Sequence, residues 1–219
     1  MKIDWLKVLE EIANEVYLTV NPLLGTEMSK RTVGIGASGD PTKQIDAIAE
    51  EVVVQYLKKN NISCVLVGEE CGTVKIGGEP EVYMIVDSID GTTNATRGIN
   101  FASTSMAASP KDSLNSIETA VVMRLDNGKV YTAEKGRGAK YDGKKISPSK
   151  AKNLKDTVIA IDISRSPENI ERVLNLMKAS GYIRCLGSAA LEICHVASGC
   201  LDAYIDVRGK LRTTDIAAA

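Results

Sequence analysis

The stretch VYMIVDSIDGTTNATRGI, residues 82–99, decides how the rest of the chain is read. Val82, Tyr83, Met84, Ile85 and Val86 form a run of β-branched, aromatic and other apolar residues with the length of a buried strand. Asp87 closes the run, and Asp90 follows three residues later. In an unbroken strand, side chains three apart point to opposite faces, so these carboxylates converge only where the chain turns between them. Ser88 and Gly91 permit that turn. Two carboxylates brought together repel, which raises one pKa or requires a cation between them. The spacing therefore asks which cation is held, and what the hydroxyls of Thr92 and Thr93 do beside it.

On the N-terminal side, residues 3–20 carry Ile3, Leu6, Leu9, Ala13, Val16 and Val20 at helical spacing, the pattern of an amphipathic helix. The polar, glycine-rich segment EMSKRTVGIGASGDP reads as a mobile loop over 26–42. TKQIDAIAEEVVVQYLKKN is a second helix, striped by Ile45, Ile48, Ala49, Val52, Val53, Tyr56 and Leu57, with Asp46 and Glu50 stacked one turn apart. SCVLVGEE is a short buried strand ending in Glu69 and Glu70. On the C-terminal side, alternating segments at 102–109 and 117–134 predict antiparallel strands. Asn127-Gly128 between two of them is a two-residue hairpin signal, and Asp142-Gly143 marks another turn. A strand over 157–164, a helix over 168–181, a strand around 182–186, the helix SAALEICHVASG and the strand LDAYIDV complete an alternation that predicts a layered α/β or α+β fold. TTDIAAA reads as the first turn of a helix with Thr214 as its N-cap.

The 219 residues suffice for a sizeable core. A net charge of −1 supplies no global basic field for nucleic acid or an anionic membrane, so any phosphorylated ligand must be held locally. No apolar run approaches the roughly 20 residues of a membrane span, and the charged N-terminus is unlike a signal sequence, which predicts a cytoplasmic protein. The 5 cysteines show no C-x-x-C pair, which predicts reduced, mostly buried thiols rather than disulfides or zinc. Gly34-Ile35-Gly36-Ala37-Ser38-Gly39 matches G-x-G-x-x-G, but EMSKRT in front of it is not the apolar strand a dinucleotide fingerprint needs. The single histidine, His195, lies within a helix, and no G-x-S-x-G elbow accompanies it.

The acidic residues carry more. Glu69 ends one strand, Asp87 and Asp90 end another, and Asp46 and Asp215 open helices. Capping and the helix dipole account for Asp215 and for Asp46. They do not account for carboxylates at the ends of apolar strands, where unpaired charge is costly unless cations offset it. Oxygen-only ligands select hard ions, and Mg2+ couples carboxylates to substrate phosphates.

DSIDGTTNATRGI resembles the D-P-x-D-G-T-x-N signature of the inositol monophosphatase superfamily of Mg2+-dependent, often lithium-sensitive phosphatases, with Ser88 in place of the usual proline. GEE at 68–70, DPTKQID at 40–46 and TTDIAAA at 213–219 resemble that family's other metal motifs in its order. GSAALEICHVASGCLDAYIDVRG resembles its substrate-side segment. The whole is closest to archaeal enzymes acting on inositol monophosphate and fructose 1,6-bisphosphate. The resemblance implies an αβαβα sandwich, with an N-terminal α+β part over 1–145 and a C-terminal α/β part over 146–219. It implies two or three Mg2+ ions held by Glu69, Asp87, Asp90 and the Ile89 carbonyl, with Asp46 and Asp215 completing the sites. Thr92 would pair with Asp46 to orient or deprotonate the attacking water, with Glu69 also taking part in catalysis. The amides of Gly91 and Thr92, beside Asp90, would hold phosphate. Gly187, Ser188, Ala189 and Asp206 would line the polyol pocket, and Arg165, Arg184 and Arg208 are candidates for a second phosphate. A homodimer acting on a small phosphate ester is implied. Family members continue for a further strand-helix-strand portion, so the C-terminal part reads as truncated, with exposed apolar surface and activity dependent on a partner or impaired. The alternatives are a nucleotide phosphatase acting on 3'-phosphoadenosine phosphate or NADP, and a non-catalytic metal- or phosphate-binding protein.

Overall fold

The computed structural model describes residues 3–37 and 39–219. Helix α1 (Trp5–Val20) begins where Asp4 accepts a hydrogen bond from the Lys7 amide, and buries Leu9, Ile12, Ala13, Val16 and Val20 along one face. A short helix α2 (Glu27–Lys30) follows. The glycine-rich segment is then an antiparallel pair, β1 (Thr32–Ile35) and β2 (Pro41–Lys43), and not the loop expected from its composition. Thr32, Val33 and Ile35 supply the β-branched residues a strand favours. Gly36 donates to the Asp40 carbonyl and Gly39, at φ +87°, closes the tip, which is the role left to the G-x-G-x-x-G glycines; Ser38 lies outside the described residues.

Helix α3 (Gln44–Lys59) buries Ile45, Ala49, Val53, Tyr56 and Leu57, and on the same side Asp46 and Glu50. Strands β3 (Cys64–Gly68), β4 (Gly72–Ile76) and β5 (Val82–Asp90) come next, then helix α4 (Thr92–Arg97). β6 (Ser103–Ser109), β7 (Thr119–Arg124), β8 (Val130–Glu134), β9 (Gly138–Tyr141) and β10 (Lys144–Lys145) follow. They join one sheet in the order β10-β9-β8-β7-β6-β5-β3-β4, in which β3 and β5 are the parallel pair. Asp142-Gly143 links β9 to β10 as a two-residue turn with both φ positive (51° and 77°), the geometry such a turn needs. The Asn127-Gly128 hairpin is longer than its signal suggests. Met123 pairs with Val130 and the Arg124 amide bonds the Lys129 carbonyl, so Leu125 to Gly128 form a four-residue connection. Leu125 is fully buried, and its burial draws two extra residues out of the tight turn. α1 and α3 cover one face of the sheet, where Leu9, Ile12, Leu57, Leu66, Met84 and Met106 are fully buried. Each such side chain contributes roughly 1.5–3 kcal/mol relative to exposure.

The second sheet is parallel and three-stranded. It is built from β11 (Val158–Asp162), helix α5 (Leu174–Ala179), β12 (Tyr182–Arg184), helix α6 (Ala189–Ala197) and β13 (Ala203–Asp206), ordered β12-β11-β13. Register and the two-residue period assign its faces. Ile159 and Ile161 pair with Ala203 and Ile205 and pack on Val173, Leu176 and Met177. Ala160 and Asp162 pair with Tyr204 and Asp206 and turn to the face on which α6 lies. On its other side α6 packs Ala190, Leu191 and Cys194 against Val122 and Tyr131 of the large sheet. The layers therefore run helix, sheet, helix, sheet, helix, the αβαβα sandwich expected. The helix predicted over 168–181 is divided into a 3-10 segment, Pro167–Arg172, and α5. Asn169 donates to the Val207 carbonyl and Val173 is buried, so tertiary contacts fix the two pieces separately.

Two further expectations are corrected. Among the cysteines only Cys64 and Cys194 are buried, while Cys185 and Cys200 are exposed at the second sheet and just after α6. The last helix, α7 (Thr213–Ile216), takes Arg212 as its N-cap, with Thr214 inside its first turn.

Candidate metal centre

The parallel pairing of β3 with β5 places Gly68 opposite Val86, so Glu69 and Asp87 leave the ends of adjacent strands side by side. β5 does not stop at Asp87. Asp87 faces Ser105 and Asp90 faces Ser103, so Ser88 and Ile89 stand against the single residue Thr104, which is a β-bulge. Ser103 and Ser105 share a face of β6, so the extra residue brings Asp87 and Asp90 to that same face. The convergence expected from a turn is achieved by a bulge, and the turn comes afterwards at Gly91, φ +91°. Beneath the bulge, Ile89 enters the main core and its amide donates to Asp87 at 3.0 Å.

α7 packs on β5 and presents Asp215. Glu69, Asp87 and Asp215 each offer a carboxylate oxygen within 4.8 Å of the others. Asp46 and Asp215 share one local device: each is the third residue of its helix and accepts the amide of the preceding cap residue, Lys43 or Arg212, at 3.0 Å. The second oxygen of Asp46 lies 3.1 Å from the Thr92 hydroxyl, which is also 3.2 Å from the Ile89 carbonyl. Asp90 stands apart from the three-carboxylate set. Its oxygens accept the Ser188 hydroxyl and the amides of Ala189 (3.2 Å) and Ala190 (2.8 Å), anchoring the start of α6.

These acids repel in a dry place. Burial pushes Asp46, Glu69 and Asp90 up to about 7, and raises fully buried Asp87 well above the carboxylate range, with the charges of Glu69, Asp90 and Asp215 adding to it. Arg212 is the cation that answers part of this charge, donating to Glu69 and to Asp40 at the tip of the β1–β2 pair. A cleft of about 270 Å³ opens between Ala37, Glu69, Arg212 and Thr213. An all-carboxylate, mutually repelling donor set, with Asp87 buried and Glu69 and Asp215 half-buried, fits a hard divalent cation.

The other expected residues divide. Gly91 packs against Gly187 and Ser188, where an added Cβ would lie 3.0 Å from the Gly187 carbonyl. Gly187, at φ +86°, abuts the Asn94 amide. Ser188 and Ala189 lie at the start of α6, beside Asp90. Asp206 and Arg208 are bound to one another, and Arg208 also pairs with Asp162 at 3.0 Å, so neither is free for the separate roles expected. Arg165, in the turn after β11, and Arg184, at the end of β12, are both exposed, and Arg184 donates to the Ile183 carbonyl. His195 packs edge-on to Phe101, with burial lowering its pKa, and takes no part in the cluster.

Sequence reasoning missed Asn94, Asp162 and Arg212. Asn94 joins Phe101 to Leu186 by two hydrogen bonds of 2.8 and 2.7 Å, locking the signature turn to the α6 side. Its place within D-G-T-T-N was visible. Asp162 was signalled by the paired endings Ile-Asp of β11 and β13.

The inositol monophosphatase family model matches residues 3–219. The chain belongs to the inositol monophosphatase family. It is 36% identical to the fructose-1,6-bisphosphatase/inositol-1-monophosphatase of Methanothermobacter thermautotrophicus, over 98% of this chain and 79% of that protein. It is 38% identical to the bifunctional NADP phosphatase/NAD kinase of Methanococcus maripaludis, over 98% of this chain but only 41% of that longer protein. Among solved structures, an inositol monophosphatase-fructose 1,6 bisphosphatase superposes with a TM-score of 0.83 at 31% identity, covering 99% of this chain and 81% of that one. The extragenic suppressor protein suhB from Bartonella henselae gives 0.85 at 27% identity, over 99% and 82%.

Proposed function

We propose that this chain hydrolyses phosphate monoesters of small polyols, inositol-1-phosphate and fructose 1,6-bisphosphate, using Mg2+. The observation that carries the reading is the Glu69, Asp87 and Asp215 cluster, within 4.8 Å, beside the Thr92–Asp46 hydrogen bond. Family membership and the names of the relatives that share this region support it.

Glu69, Asp87 and Asp215 would hold Mg2+, with the Ile89 carbonyl beside them and Asp46 and Asp90 at the margin, in numbers of two or three ions. When bound, Mg2+ lowers the pKa of a water ligand and neutralises phosphate oxygens and the leaving alkoxide. Thr92 and Asp46 orient the attacking water and receive its proton, a task suited to a buried carboxylate pushed up to about 7. The first amides of α4, at Gly91 and Thr92, carry no intrahelical partner and face the phosphate. Asp90 holds the start of α6, so that Gly187, Ser188 and Ala189 keep the polyol side of the cleft against Gly91. Asp206 and Arg208 are tied to each other and to Asp162 and brace that side of the second sheet, so Arg165 and Arg184, both exposed, are the cations left for a second phosphate. No helix among the described residues is long and apolar enough to cross a membrane; a cytoplasmic homodimer is part of the reading.

The similarity to bifunctional NADP phosphatase/NAD kinases lends weaker support to a second substrate class, a nucleotide 2'- or 3'-phosphate, which would use the same carboxylates. Phosphate release from a panel of inositol-1-phosphate, fructose 1,6-bisphosphate, NADP and 3'-phosphoadenosine phosphate separates the two. Release is expected to require Mg2+ and to vanish in Asp87→Asn. Turnover that persists undiminished in chelator overturns the mechanism.

A further inference from the structure

We infer that Glu50 is a positioning residue for the metal-binding turn, its carboxylate fixing the backbone that aims Glu69 at Asp87 and Asp215. The inference rests on the reading of that cluster as a divalent-cation site. Glu50 lies one turn beyond Asp46 on the buried side of α3 and is 5% exposed. One of its oxygens accepts the Glu70 amide at 3.1 Å and the other accepts the Cys71 amide at 2.7 Å. Those are the two peptide units directly after Glu69, at the reversal from β3 into β4.

Among the described residues no lysine, arginine or histidine forms an ion pair with Glu50. A buried anion without a cation is costly, and a neutral side chain of the same size would serve folding better. What the charge obtains is a pair of strong, directional bonds to main-chain donors. The local shape is arranged for them. A Cβ on Gly68 would lie 2.8 Å from Glu50 Oε2 and 2.8 Å from Cys71 Sγ, so a side chain there would displace the carboxylate from its present position. Cys71 packs against the main core, while Thr42, Glu50, Glu70 and Cys71 also border a cleft of about 340 Å³, so packing covers the turn only in part. From the other side the β1–β2 hairpin grips the same turn, with the Ala37 amide donating to the Glu70 carbonyl at 3.0 Å and the Thr42 hydroxyl to the Glu70 carboxylate. One helix thus carries Asp46 to Thr92 and, a turn later, anchors Glu69, so a single rigid element sets the spacing of both.

The test is Mg2+ titration calorimetry on the metal-free full chain, with thermal melts and amide hydrogen exchange at Glu70 and Cys71, for wild type, Glu50→Gln and Gly68→Ala. Glu50→Gln is expected to weaken Mg2+ binding roughly 10- to 100-fold, as loss of a residue that orients a ligand does. Its metal-free melting temperature should equal or exceed that of the wild type, and the two amides should exchange faster. Gly68→Ala should reproduce the loss with Glu50 in place, and the double variant should lose no more than the larger single one. Wild-type affinity and protection in Glu50→Gln, or a melting temperature that falls in step with affinity, overturns the inference. A wild type that binds no Mg2+ sinks the metal reading instead, and the exchange comparison in metal-free protein still decides whether Glu50 holds the turn.

Discussion

Asp46→Asn is expected to stabilise the metal-free chain at pH 8, to have far less effect at pH 5, and to abolish hydrolysis. Asp46 is 3% exposed, and burial raises its pKa from 3.8 to about 7. A carboxyl with a raised folded-state pKa stays protonated in the fold while the unfolded chain already ionises. Stability therefore falls as pH rises from 3.8 towards 7 and is level above that. Each pH unit is about 1.36 kcal/mol, so the full window of roughly three units corresponds to about 4 kcal/mol, and the part between pH 5 and 7 to about 2.7 kcal/mol. Asparagine escapes this charge cost. It keeps an acceptor for the Lys43 amide and loses only the charge-assisted part of that cap, about 1 kcal/mol. The stability difference between Asp46→Asn and wild type should thus rise by about 2–3 kcal/mol in favour of the variant between pH 5 and pH 8. Urea unfolding in chelator at the two pH values reads it. Saturating Mg2+ should remove the wild type's disadvantage, because the ion binds the ionised form. An equal difference at both pH values, or a variant less stable at pH 8, refutes the reasoning.

Gly91→Ala forces a side chain into φ +91° and against the Gly187 carbonyl at 3.0 Å; chemical unfolding should show a loss of about 1–3 kcal/mol, with turnover reduced. Asp90→Asn leaves one acceptor for donors from Ser188, Ala189 and Ala190, so denaturant melts should fall by about 1.5–3 kcal/mol and Mg2+-dependent phosphate release should be lost. Leu191→Ala, at a fully buried position joining α6 to the large sheet, should cost about 2–5 kcal/mol while leaving Mg2+ affinity close to wild type by calorimetry.

The layered fold and the order of the acidic motifs were legible because they depend on local pattern: strand runs, helical stripes and the residues that close them. The bulge was not. Whether Asp87 and Asp90 share a face depends on which residues of β6 oppose them, and that register is settled by Ile89 seeking the core as much as by Ser88. The hairpin over 32–43 was hidden for a similar reason, since its glycines signal freedom locally and only the contacts with Glu70 and Arg212 fix them. Asp206 and Arg208 each suggested a ligand when read singly, but Asp162, on the neighbouring strand, joins them into one network.

Asp46 and Asp215 invite a choice between a helix cap and a site residue, and the geometry removes the need to choose. A carboxylate at the third helical position has one oxygen tied to the cap amide, as both do at 3.0 Å, which fixes the direction of the other. Pre-aligning the free oxygen reduces the side-chain entropy lost when a cation or a hydroxyl engages it. Glu69 follows a strand and has no such cap of its own. That is the place where Glu50, reaching across from α3 to the next two amides, does for a turn what the capping bond does for the helices.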